Sequence, residues 1–161
     1  MNKKGAVLAG RILSELKDLS IILERARQGW EKAQTTHDDF YLDGVALNLH
    51  GFYSGLERIF ERIASAVDGS IPSGSNWHRE LLNQMSIEVP GVRPSVITGV
   101  LKENLEEYLG FRHVIRNVYT HHLNPDKMKN LVTKSSSILS TIEVELTEFA
   151  EFLKGSEQNP D

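Results

Sequence analysis

The chain of 161 residues contains no cysteine. Disulfides, thiol nucleophiles and Cys-ligated zinc are therefore excluded. Long apolar runs are missing as well. None approaches the roughly 18 residues that a membrane-spanning helix needs, so no membrane partner is expected. Strand-like alternation is nearly absent. There is no internal repeat, no low-complexity segment, no glycine-rich phosphate loop and no dinucleotide fingerprint, and no cofactor is expected. The opening segment, Met1-Asn2-Lys3-Lys4-Gly5, is followed by Arg11, Glu15 and Lys17, which a signal peptide would not carry. With cysteine absent, a cytoplasmic protein is the expectation. A general positive surplus is also missing. The net charge of −4 excludes an overall nucleic-acid coat, so any RNA contact must come from a local patch.

Hydrophobic residues at 40% and charged residues at 25% suit an ordinary globular domain. Helical periodicity dominates. It predicts helices over about Lys4–Gln34, Asp38–Val67, Trp77–Met85, Val96–Asn124 and Pro125–Lys154. Asp68 to Ser75 and Val89 to Pro94 read as loops. Ser75 or Asn76 is the expected cap of the short third helix, with Glu80 near the capping-box position. Gly44, Gly51 and Gly55 each cost about 1 kcal/mol relative to Ala inside the second helix, which suggests close approach of another backbone. Arg93 is expected to pair with a carboxylate or to cap a helix end. The fold class expected is all-α, an antiparallel four- to five-helix bundle formed by a single domain over 1–154, with a disordered tail over 155–161.

Chemistry concentrates in one stretch, Phe111 to Leu123. On a continuous helix, Phe111, Val114, Ile115 and Val118 make an apolar face. His113, Asn117 and His121 make a polar stripe beside it, and Arg112, Arg116 and Thr120 make a second. Between Phe111 and Lys134 five basic side chains (Arg112, Arg116, Lys127, Lys129, Lys134) face one acid, Asp126. Histidine suits proton transfer near neutral pH, and arginine suits phosphate because its fork never deprotonates. Metal-free cleavage of RNA needs both: a base for the 2′-hydroxyl, an acid for the leaving 5′-oxygen, and a cation for the transition state. DNA lacks the 2′-hydroxyl and is excluded as a substrate. His113, His121 and His122 have no carboxylate with them on the helix, so no metal site is expected. Arg116 and His121 are five residues apart, about 140° around a regular helix. Two antiparallel copies of the ridge could bring both groups from both chains around one cleft.

Arg116-Asn117-Val118-Tyr119-Thr120-His121 resembles the Arg-x4-6-His motif of HEPN-domain ribonucleases. Tyr53 to Ala64, Trp77 to Leu82, Arg93-Pro94 and Tyr108 to Tyr119 resemble the HepT-like branch in wording and in order, over about residues 40 to 150. The resemblance implies a HEPN-like homodimer with metal-independent endoribonuclease activity on tRNA or mRNA. It implies a toxin whose partner is a nucleotidyltransferase antitoxin able to attach AMP to a tyrosine near the motif. In this group that tyrosine often stands two residues after the motif His; here that position is Leu123. Tyr119 is the nearest candidate, ahead of Tyr108 and Tyr53. The expected catalytic residues are Arg116, His121 and Asn117, with His122 a second reading of the motif. Arg112, His113, Thr120, His122, Lys127 and Lys129 are expected to contact substrate. The alternative is a non-catalytic helical module that docks RNA or the nucleotidyltransferase.

Overall fold

The computed structural model describes residues 2–155, Thr120 by its backbone only. Its elements are α1 (Lys3–Thr36), α2 (Tyr41–Ile63), a π turn (Ala64–Asp68), α3 (Trp77–Met85), α4 (Gly99–Asn117), a 3-10 turn (Thr120–His122) and α5 (Pro125–Gly155). No strand occurs among the described residues, only one isolated bridge between Val89 and Arg93. The all-α bundle expected from periodicity is what forms. The expected tail lies outside the described residues apart from Gly155, the last residue of α5. No helix among the described residues is long and apolar enough to cross a membrane.

The helices pack because each buries one apolar stripe. Leu8, Ile12, Leu16, Leu19 and Leu23 of α1 recur at three- and four-residue steps and are all buried. They meet Leu49, Phe52, Leu56, Ile59 and Ile63 of α2 and Ile138, Ile142, Leu146 and Phe149 of α5 in one core. The pairing is antiparallel. Gly55 lies against Leu19 and Gly29 against Val45, so residue numbers on α2 fall as those on α1 rise. Arg62 and Glu15 form an ion pair in the same register. Gly5 lies against the Leu153 carbonyl at the far ends of α1 and α5. On α4, Tyr108 donates its hydroxyl to the Leu131 carbonyl of α5 at 2.7 Å, deep in the core.

Helix ends follow local chemistry. The Asn2 side chain accepts from the Gly5 amide at 3.0 Å and opens α1. Thr98 accepts from the Leu101 amide at 3.2 Å and opens α4. Asn124 accepts from the Asp126 amide at 2.9 Å, and Pro125 starts α5 as its fixed φ favours. Asn76 stands at the N-cap position of α3 but makes no side-chain capping bond, contrary to expectation. Arg93 does both things expected of it. Its Nε and Nη2 donate to Asp68, the latter at 2.7 Å, and its other protons go to the carbonyls of Gln84, Ile87 and Pro94.

Three readings are corrected. α4 stops at Asn117, not at Asn124, and Val118 is extended (φ −132°, ψ 156°). The β-branched Val118 and Thr120 are weak helix formers, and Pro125 excludes helical backbone at Asn124. The Asn117 side chain donates back to the His113 carbonyl at 2.7 Å and closes the last turn. The apolar face of the ridge is not all core: Phe111 is buried, but Val114 and Val118 are exposed. The glycines of α2 do not all mark close approach, since nothing lies within 4 Å of a Cβ at Gly44 or Gly51. Gly55 does mark a close approach, since a Cβ there would lie 2.7 Å from the Leu19 side chain, a side chain rather than a backbone. Two substitutions test these packing assignments. Gly5→Ala drives a methyl into the Leu153 carbonyl, and should cost about 1–3 kcal/mol. Gly44→Ala meets nothing and should gain about 0.5–1 kcal/mol of helix stability. Thermal melting should move in opposite directions for the two.

Candidate functional site

The polar residues of the site come from three helices. On α2, His50, Ser54 and Glu57 recur at four- and three-residue steps, a polar stripe inside a helix that is otherwise mostly buried. Glu57 is only 4% exposed. A buried carboxylate is costly unless paired. Its Oε2 lies 2.7 Å from Nδ1 of His78, on α3. Its Oε1 lies 3.6 Å from Nη1 of Arg112, on α4. The same Nδ1 lies 3.1 Å from Nη1 of Arg112, which only donates, so carboxylate and guanidinium converge on one imidazole nitrogen and Nε2 is the nitrogen left for other contacts. Arg112 Nε donates to Ser54 Oγ at 3.1 Å. Arg112, expected to contact substrate, is therefore first a structural tie among α2, α3 and α4.

Two hollows flank α4. The first, of about 310 Å³, lies between the start of α3 and the second half of α4. Ser75, Asn76, His78 and Arg79 form one wall and Arg112, His113 and Arg116 the other. Arg116 is exposed and makes no hydrogen bond or ion pair among the described residues. The second, of about 530 Å³, lies between α4 and α5 and is lined by Phe111, Val114, His122, Leu123, Lys127 and Leu131, among others. Gly110 lines both. Lys129 is exposed on α5 but lines neither, and Lys134 is held by Glu107 at 3.3 Å.

The early end of α4 changes the motif. His121 does not continue the stripe of His113 and Asn117; it sits in the 3-10 turn opened by Thr120. Its ring stacks on Tyr119 with centroids 5.9 Å apart and meets His122 edge-on at 4.1 Å. His121 lines neither hollow, whereas His122 lines the second. The structure thus brings Arg112, His113 and Arg116 together in one hollow, which His121 of the same chain does not line. The Asn117 amide is spent on the His113 carbonyl, not on either imidazole of the turn. Tyr119 is 75% exposed, while Tyr53 and Tyr108 are buried. Burial raises the pKa of both buried phenols and keeps them protonated.

His50, Glu57, His78 and Arg79 were not among the expected site residues. The stripe His50-Ser54-Glu57 was a usable signal: three polar side chains on one helical face that should be core. Nothing local marks His78 as its partner. Burial, and then the charges of Arg112 and Arg116, push the His50 imidazole below its ordinary pKa. Its Nδ1 is sealed from solvent and unpaired. The unfolded chain therefore binds the His50 proton more readily than the folded one. Stability from this group is present above about pH 6.5 and is lost as pH falls from there toward the depressed folded value. His50→Gln should flatten the fall in melting temperature between about pH 7.5 and about pH 5.5. A slope like that of the wild type would show that other groups drive it.

Comparison with curated proteins and with solved structures finds no match. A family model described as "HepT-like protein" matches residues 44–153. That span runs from the first turn of α2 into the last turn of α5 and encloses Glu57, both arginines of the ridge and every histidine but His37. The match covers most of the chain and agrees with the helical bundle on which these groups stand, and the chain belongs to the HepT-like family.

Proposed function

We propose that this protein is the endoribonuclease toxin of a toxin–antitoxin pair, cutting tRNA or mRNA without a metal at a site shared by two copies of the chain. The observation that carries the reading is Arg116. Its guanidinium is exposed and, among the described residues, unpaired, in a cleft that also holds Arg79, Arg112 and His113. A cation so placed is available to a phosphodiester and to the charge that develops on it in the transition state. The proton-transfer group is His121, exposed in the turn just beyond the helix. Arg116 and His121 share no hollow within one chain, so the second copy supplies the missing half. Val114, just before the motif, and Val118 and Tyr119 within it are exposed and supply apolar surface for that contact. Lys127 at the second groove extends the basic path for RNA.

Regulation by a nucleotidyltransferase antitoxin belongs to the same proposal. Of the three tyrosines considered, Tyr119 alone presents its hydroxyl on the surface, and its ring stacks on His121. AMP attached there would place bulk and negative charge against the imidazole. The competing reading, a docking module without catalysis, draws on the fact that Arg116 and His121 share no hollow in one chain.

Purified protein incubated with tRNA and EDTA should leave 2′,3′-cyclic phosphate ends. Arg116→Ala and His121→Ala should each slow cleavage by about 10²–10⁴-fold. Full activity in His121→Ala with loss in His122→Ala would move the role to His122, and full activity in both would remove the motif assignment. Mixing Arg116→Ala with His121→Ala protein should restore part of the activity if the site is shared across the dimer. Incubation with the antitoxin and ATP should label wild type and spare Tyr119→Phe.

A further inference from the structure

We infer that an RNA strand crosses α4 at Gly110, with one backbone phosphate in the α3–α4 cleft and the adjoining nucleoside in the α4–α5 groove of the same chain. This rests on the RNA reading above and adds where the strand lies and what holds it. The α3 wall of the cleft contributes groups that the motif does not include. Arg79 is half exposed there, and its nearest carboxylate, Glu106, is 3.9 Å away and equally distant from Lys102. So loose an exposed pair leaves the guanidinium largely free to take a phosphate. Arg116 faces the same space from α4. The carboxylate of Glu57, behind the cleft, is occupied by His78 and Arg112. The cleft stays positive with Glu57 and Glu106 both counted.

His78 adds direction. Glu57 fixes its ring through Nδ1, and Trp77 covers it with centroids 3.7 Å apart. Nδ1 is taken up by Glu57 and Arg112, so Nε2 is the nitrogen available to a ligand, and it donates to a phosphate oxygen in the state in which it carries a proton. The start of α3 borders the cleft through Ser75, Asn76, His78 and Arg79, and Asn76 does not cap it with its side chain. Amides at a helix start favour an anion already drawn there by arginines.

The second groove explains why the ligand is a strand rather than a lone anion. Its floor is apolar, with Phe111, Leu123 and Leu131, and its rim carries His122, Lys127 and Asn130 beside one acid, Glu107, whose carboxylate is met by Lys134 at 3.3 Å and by the Asn130 amide at 3.5 Å. An apolar floor with a polar rim suits a base and its ribose, not a bare phosphate. Gly110 borders both spaces, and a Cβ built on it meets nothing within 4 Å. A side chain there would stand on the ridge between the two hollows; its absence keeps the crossing open.

The test measures binding of the full-length protein to a 2′-O-methyl oligoribonucleotide, which cannot be cut, by fluorescence anisotropy across a salt series. Arg79→Gln should weaken binding about tenfold and lower the salt slope by about one. Gly110→Leu should fold, because leucine is a good helix former and the space is empty, and should weaken binding with the salt slope unchanged. Lys32→Gln, on α1 and lining neither hollow, should bind like wild type. Wild-type affinity in both Arg79→Gln and Gly110→Leu, or no binding by wild type, overturns the inference. Loss in Arg79→Gln alone, with equal competition by inorganic phosphate, overturns the strand and leaves a small-anion site. Cleavage of natural RNA by the same samples separates the two readings. Cleavage that both variants leave intact sinks the path but not the nuclease; oligonucleotide binding that both variants weaken, without any cleavage by wild type, sinks the nuclease but not the path.

Discussion

The carboxylate of Glu57 is the constraint on which the functional end of the molecule depends. It is buried in the middle of α2, where an unpaired charge would cost several kcal/mol. Two cationic or protonatable groups answer it, His78 from α3 and Arg112 from α4. Neither can be withdrawn without stranding the other two. The requirement to satisfy one buried charge therefore sets the distance between the start of α3 and the second half of α4. That distance is the width of the cleft in which Arg79, His113 and Arg116 stand.

A second buried pair holds the other end of α3. Burial works to raise the Asp68 pKa, but hydrogen bonds from Arg93 and Gln84 outweigh it and keep this carboxylate below the usual range. Gln84 donates to Asp68 at 2.7 Å while its own carbonyl accepts from Arg93 at 3.1 Å. The π turn at Ala64–Asp68 shifts α2 out of regular register where Asp68 meets Arg93. So a helix of nine residues, too short to be stable alone, is held at its start by the contact of His78 with Glu57 and at its end by the hydrogen bonds of Gln84 with Asp68 and Arg93. The long α1, α2 and α5 supply the hydrophobic stability, and the short helix carries one wall of the site.

The same arrangement explains the state of His50. Arg112 is drawn inward by Glu57, and Arg116 follows one turn later on the same helix. Burial, and then their charges, lower the pKa of an imidazole whose Nδ1 has no partner among the described residues, while His113, His121 and His122 remain exposed. Imidazoles of one chain thus occupy opposite environments within a few turns of each other.

Much of this was legible in the residues. Periodicity alone located five helices, and for α3 it found the limits Trp77 and Met85. Asn124-Pro125 marked the entry to α5, Arg93 announced a carboxylate partner, and the wording around Arg116 pointed to the HepT-like family. These features are local, since a cap, a proline or an apolar stripe acts within a turn or two. What the residues did not disclose depended on partners distant in the chain. Glu57 meets His78 21 residues away and Arg112 from another helix, and no spacing rule joins them. The end of α4 at Asn117 was hidden because Val118 to His122 can continue a helix on paper; the need to turn into a capped α5 decides otherwise. That turn took His121 off the arginine face, and only the folded chain could place the two groups relative to each other, because their geometry depends on how α4 and α5 pack and not on the five positions between them.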